Sequence, residues 1–140
     1  EPPVPEFVEM MTSDRGEMSK REYVAKLNVL NYTQDWARDH HAEFMHIVDQ
    51  TIIPRRPLRT ILAQVNAIQG FNAMPRLKQL WSPRETLVIH GTSDLVVPYS
   101  NGVRLAAALR APLLSLPGCG HVFWDMDGGA AAGGAREFLA

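Results

Sequence analysis

Two residues of this chain have the types and the spacing for proton transfer: Asp94, in "ETLVIHGTSDLVVP", and His121, in "LPGCGHVFWDMD". A carboxylate that accepts one imidazole N–H fixes the ring's tautomer and stabilises the imidazolium. The second ring nitrogen is then free to act as a base. The two residues are 27 positions apart, enough for one crossover helix and two turns, so they can meet across adjacent strand ends. Gly118 and Gly120 flank the histidine and permit a close approach that a larger side chain would block. Phe123 and Trp124 follow it and are candidate substrate-binding residues, with core packing as the competing role. Each assignment has a plainer alternative: aspartate is common as a turn cap, and a loop histidine can simply be hydrogen-bonded in place. Cys119 stands beside the histidine, where a thiol can be activated. Residues two apart in a loop, however, rarely aim at one another. Asp125 and Asp127 suit the start of the final helix, where an anion meets the positive end of the helix dipole.

The elements that must carry these residues follow from the pattern. "TLVIH", residues 86–90, is a short apolar run with β-branched members, as expected of a strand buried on both faces. "SNGVRLAAALR" predicts a helix with Ser100 as N-cap, and "PLLSL" a second strand. A final helix fits residues 128–136, weakened by Gly133 and Gly134. Strand, helix, strand in so few residues implies a parallel pair with a right-handed crossover. Functional groups in such sheets collect at the carboxyl ends of the strands. A lone parallel pair is not a stable sheet and calls for further strands and covering helices.

The upstream half has a different texture. Pro2, Pro3 and Pro5 mark residues 1–18 as a linker or irregular segment. Ser19 and Glu22 form a capping-box pattern ahead of Tyr23, Val24, Leu27 and Leu30. A second helix is expected from about Gln34 to Val48, with Asp35 in its first turn and Pro54 and Pro57 closing the region. Leu58, Ile61, Leu62, Val65 and Ile68 make one apolar stripe of a helix that Gly70 can close. A short helix follows at about 75–80. Trp36, with Met10, Met11, Met18 and Met45, supplies apolar surface for a substrate cavity or for the helices' own core.

Composition narrows the function classes. The chain has 140 residues, 46% of them hydrophobic, and a formal net charge of −1, which suits a single globular unit. That charge gives no reason to expect nucleic acid or an anionic membrane as partner. Arg55, Arg56 and Arg59 read as a solvated helix entry rather than a phosphate site. The single cysteine excludes an internal disulfide and a zinc finger, and is compatible with a reducing compartment. No apolar run approaches the length of a membrane span. His40, His41, Glu43 and His46 invite a metal, but neither H-E-x-x-H nor H-x-x-E-H spacing occurs, so no metal site is expected.

"LVIHGTSDLVVP", "NGVRLAAAL" and "LPGCGHVFWDMD" together resemble the closing portion of the α/β-hydrolase family: a late strand ending in G-x-x-D, a helix, the last strand and G-x-G-H. The resemblance covers about residues 57–140. It implies an α/β fold comprising the second part of such an enzyme, with residues 19–56 as its helical cap. It also implies Asp94 as triad acid, His121 as triad base, and hydrolysis of a small apolar ester, lactone or related bond without a cofactor. The family's nucleophile elbow, G-x-S-x-G, is missing. None of Ser13, Ser19, Ser82, Ser93, Ser100 and Ser115 has a glycine at both −2 and +2. The nucleophile and oxyanion donors are therefore expected from a second chain or a preceding segment, as if "EPPVPEF" were the middle of something longer. The competing reading is a non-catalytic assembly subunit derived from that fold. A free-standing binding module is a third reading, disfavoured by the hydrophobic sheet edge it would expose.

Overall fold

The computed structural model describes residues 5, 9, 15–52, 58–80 and 85–140. In chain order its elements are α1 (Lys20–Asn31), α2 (Gln34–Asp39), α3 (His41–Thr51), α4 (Leu58–Gly70), α5 (Met74–Leu80), β1 (Val88–Gly91), α6 (Tyr99–Leu109), β2 (Leu113–Leu116), a 3-10 turn (Phe123–Asp125) and α7 (Ala130–Leu139). The two strands are parallel, with Val88 opposite Leu113 and Gly91 opposite Leu116. The chain is thus of mixed α/β type. Among the described residues the sheet has these two strands.

Helix α1 begins where its capping box places it. Ser19 Oγ accepts from the Glu22 N–H at 3.2 Å and Glu22 Oε2 accepts from the Ser19 N–H at 2.7 Å, so two otherwise unpaired amide donors are satisfied reciprocally. Arg21 on α1 reaches Asp49 on α3 with two hydrogen bonds, Nε to Oδ1 at 2.6 Å and Nη2 to Oδ2 at 3.0 Å. The expected helix from Gln34 to Val48 is two helices. His40 breaks it at φ −115°, ψ 40°, and its ring stacks on Trp36 at 4.9 Å. Tyr32, Trp36, Ala37, Phe44 and Val48 form the core of this helical region. Tyr32 stacks on the other side of Trp36 at 4.9 Å and meets Phe44 edge-on.

A second cluster, of Leu77, Val88, Ala106 and Leu109, packs α5 and α6 onto β1. Helix α6 starts one residue before the expected Ser100 cap: Pro98 is the N-cap, and its carbonyl accepts from the Asn101 N–H at 2.8 Å. It ends at Arg110 in the left-handed region, φ 54°, a common way to close a helix and turn into a strand. The predicted stripe of α4 contains Ile68, which is 74% exposed. The side chains of its other members, Leu58, Ile61, Leu62 and Val65, lie outside the described residues. So do Arg55 and Arg56, and most of the expected linker at 1–18.

Candidate active site

The loops that leave β1 and β2 are laced together by backbone. The Thr92 N–H donates to the Leu116 carbonyl at 3.0 Å and the Ser93 N–H to the Cys119 carbonyl at 2.9 Å. Thr92 Oγ1 accepts from the Gly118 N–H at 2.9 Å. Gly91 makes this proximity possible, since a Cβ there would lie 2.5 Å from the Gly120 carbonyl oxygen. The Asp94 N–H then closes a turn onto the Gly91 carbonyl at 3.4 Å, and the aspartate side chain folds in between the two strand exits.

Asp94 is 8% exposed, and both of its oxygens are engaged. Oδ1 accepts from the Val96 and Val97 amides at 2.9 and 2.8 Å. Oδ2 lies 2.9 Å from His121 Nδ1. A buried carboxylate is costly when unpaired and stable when several donors converge on it. Burial pushes its pKa up, but the hydrogen bonds from His121, Val97 and Val96 outweigh burial and hold it below the ordinary carboxylate value. His121 shifts the opposite way. Its hydrogen bond to Asp94 raises its pKa, against the opposing effect of burial.

The carboxylate can only accept, so Nδ1 of His121 carries the hydrogen that points to Asp94. Nε2 is left with an available lone pair, on a side chain 39% exposed. Among the described residues His121 Nε2 makes no hydrogen bond. A buried acid, a histidine oriented by it and a second ring nitrogen with its lone pair available are the parts of a general base.

The histidine loop is also anchored to the helical region. The Val122 N–H donates to the Asn31 carbonyl at 3.0 Å, and Tyr32 Oη donates to Asp125 Oδ2 at 2.7 Å. Burial first, and then the bond to Asp125, pushes the Tyr32 phenol well above its ordinary pKa. Gly120 packs so closely on this helix end that a Cβ there would stand 2.5 Å from the Asn31 carbonyl oxygen.

The remaining candidates fall in various places. Phe123 is half-buried and meets Trp124 edge-on at 5.4 Å, while Trp124 is 62% exposed. Both lie within three residues of the histidine along the chain. Trp36 is buried between Tyr32 and His40, both faces of its indole already covered. Cys119 is 5% exposed. Burial and, secondarily, Asp127 raise its thiol pKa, the opposite of what a thiolate nucleophile needs. Asp127 caps α7, accepting from the Gly129 and Ala131 amides at 2.8 Å each. Asp125 is the acceptor for Tyr32. No group of three or more metal-ligating side chains converges among the described residues. No described helix is long and apolar enough to cross a membrane.

One neighbour was not singled out by sequence reasoning. His90, on β1, places Nε2 2.8 Å from the Val97 carbonyl and 3.3 Å from Asp94 Oδ2. Two imidazole nitrogens thus lie within 3.3 Å of one carboxylate oxygen, and His121 is the one hydrogen-bonded to it. The four-residue spacing of His90 and Asp94 was the one hint in the sequence; the carbonyl partner leaves no side-chain signature.

No protein-family model matches the chain. It is 30% identical over 120 residues to the "Putative carbamate hydrolase RutD" of Caulobacter segnis, a match covering 85% of this chain and 44% of that protein. The chain therefore spans less than half the length of the curated relative it matches. The similarity supports a relationship to hydrolases at the level of the family.

Proposed function

We propose that this chain supplies the acid and the histidine of a hydrolase proton relay, Asp94 and His121, within an α/β-hydrolase-type fold. The observation that carries the reading is the 2.9 Å contact between His121 Nδ1 and Asp94 Oδ2 at the carboxyl ends of adjacent parallel strands. Similarity to a protein named as a carbamate hydrolase supports it independently.

In the proposed reaction, His121 Nε2 takes the proton from a nucleophile as that nucleophile attacks the substrate carbonyl. Asp94, held by the Val96 and Val97 amides, stabilises the imidazolium that results. The same nitrogen then returns the proton to the leaving oxygen or nitrogen. The substrate class is a small apolar ester, lactone or related carbonyl bond, and a carbamate, with its carbonyl between oxygen and nitrogen, belongs among them. Phe123 and Trp124 form the apolar rim beside the base. Trp36, occupied on both faces, acts through the helical core and not as a direct substrate contact. The nucleophile and the oxyanion donors come from sequence other than these 140 residues. Residues 19–56 correspond to the helical cap and 57–140 to the late part of the core.

The test is hydrolysis of short-chain p-nitrophenyl esters and of a phenyl carbamate by this chain together with its nucleophile-bearing partner. That partner is to be sought in the coding sequence ahead of Glu1 and by co-purification. His121→Ala should lower kcat by about three orders of magnitude or more. An unchanged rate refutes the base assignment. It would favour the second reading, an assembly subunit without catalysis.

A further inference from the structure

His90 is a strand residue whose side chain is only 13% exposed, yet its hydrogen-bonding atom serves the loop that presents Asp94. The Val97 carbonyl can only accept, so the proton of the ring lies on Nε2. That single N–H ties the start of the loop, at the strand, to its far end. Its nitrogen also lies 3.3 Å from Asp94 Oδ2, the oxygen used by His121. Val97 is held twice over: its carbonyl by His90 and its amide by Asp94 Oδ1. The ring has a fitted seat. Tyr99 meets it edge-on at 5.9 Å, and Tyr99 Oη is itself fixed by Ser115 Oγ at 2.5 Å. On helix α6, Gly102 is the residue that leaves room, because a Cβ there would stand 2.5 Å from His90 Nδ1 and 2.9 Å from its Cγ.

We propose that His90 is a positioning residue that closes the Asp94 loop, so that the Val96 and Val97 amides and His121 all meet the carboxylate in one fixed orientation. The proposal rests on the reading of Asp94 and His121 as acid and base. His90 acts through Asp94 and the Val97 carbonyl. Without its N–H the segment from Leu95 to Pro98 loses its tie to the strand, the amides no longer hold Oδ1, and the carboxylate turns away from His121.

The experiment follows the His121 ring by NMR titration in the 140-residue chain, with hydrogen exchange of the Val96 and Val97 amides alongside. Asp94→Asn is the control, since it must lower the His121 midpoint if the acid–base pair exists at all. His90→Leu should then lower that midpoint by roughly half a pH unit or more and speed exchange at Val96 and Val97 about tenfold or more. Gln places an amide N–H near the position of imidazole Nε2, so His90→Gln should restore most of both. Gly102→Ala, which keeps the donor but crowds the ring, should act in the direction of the Leu variant. If Asp94→Asn moves the midpoint while His90→Leu leaves it in place or raises it, the positioning role is overturned and the acid–base pair stands. If Asp94→Asn moves nothing, the pair itself fails. Equal behaviour of the Leu and Gln variants would reduce His90 to packing and also overturn the proposal.

Discussion

Gly120→Ala tests how tightly His121 depends on the helical region. A Cβ at Gly120 would stand 2.5 Å from the Asn31 carbonyl oxygen and 2.8 Å from the Tyr32 carbonyl carbon, where carbon and oxygen ordinarily approach to about 3.3 Å. The obstructing atoms are backbone and cannot rotate aside, and the Tyr32 carbonyl oxygen is closer still, so the loop must retreat by more than about one ångström. Overpacking of this kind costs about 1–3 kcal/mol. The adjacent Val122–Asn31 hydrogen bond, 3.0 Å long, would be lost with it, for about 1 kcal/mol more. For a chain of this size the total corresponds to a fall in Tm of roughly 10 °C. The same retreat would lengthen the 2.9 Å contact of His121 with Asp94 to beyond the range of a hydrogen bond, about 3.5 Å. Thermal unfolding by circular dichroism and NMR titration of His121 below Tm measure the two consequences separately. Gly118→Ala is the comparison. It has open space but φ +71°, so it should cost only about 1 kcal/mol and leave the His121 titration in place. A Gly120→Ala protein that melts with the parent and titrates like it would refute the reasoning.

Four further outcomes are expected. Asp94→Asn keeps an oxygen for the Val96 and Val97 amides but turns an amide donor toward His121. The ring should then carry its hydrogen on Nε2, visible in 15N shifts, and lose its function as a base. The pair also has a pH signature. His121 is raised above its ordinary 6.5 and Asp94 lowered below its ordinary 3.8. The histidine's share of stability is therefore complete below pH 6.5 and fades as pH rises through its folded pKa, while the aspartate's is present above pH 3.8 and fades as pH falls through its own. The urea-midpoint difference between parent and Asp94→Asn should accordingly peak between those values and shrink on either side. Gly133 lies within α7 with open space around it, so Gly133→Ala should stabilise by about 0.5–1 kcal/mol; Gly134→Ala, whose Cβ would overlap Leu114 Cδ2, should gain less. Tyr32→Phe removes the bond to Asp125 and should cost about 1–2 kcal/mol in urea denaturation.

Much of this arrangement is legible in the sequence because it follows from local chemistry. The Ser19–Glu22 box caps α1 as its spacing dictates, and the switch from helical to strand periodicity after residue 84 marks β1 and β2. Asp94 and His121 could be paired because each follows a strand by a few residues and one crossover helix separates them. What was not legible depends on tertiary neighbours. The break at His40 has no glycine or proline to announce it; the ring finds its place by stacking on Trp36. Trp36 reads equally as cavity lining or core until Tyr32 is seen on its other face. Ser100 is a good cap by type, but Pro98, with its fixed φ, starts α6 first. His90 looked like the end of a strand, and its partner is a carbonyl seven residues on, which no side-chain pattern records.

The lone thiol of the chain offers a practical consequence. Cys119 is shielded from solvent, and its carbonyl oxygen holds the Ser93 amide, directly between the two loops that bring acid and base together. A thiol reagent can reach it only when those loops part. Its labelling rate is therefore a clock for local opening, readable without mutation and with no second cysteine to confuse the count.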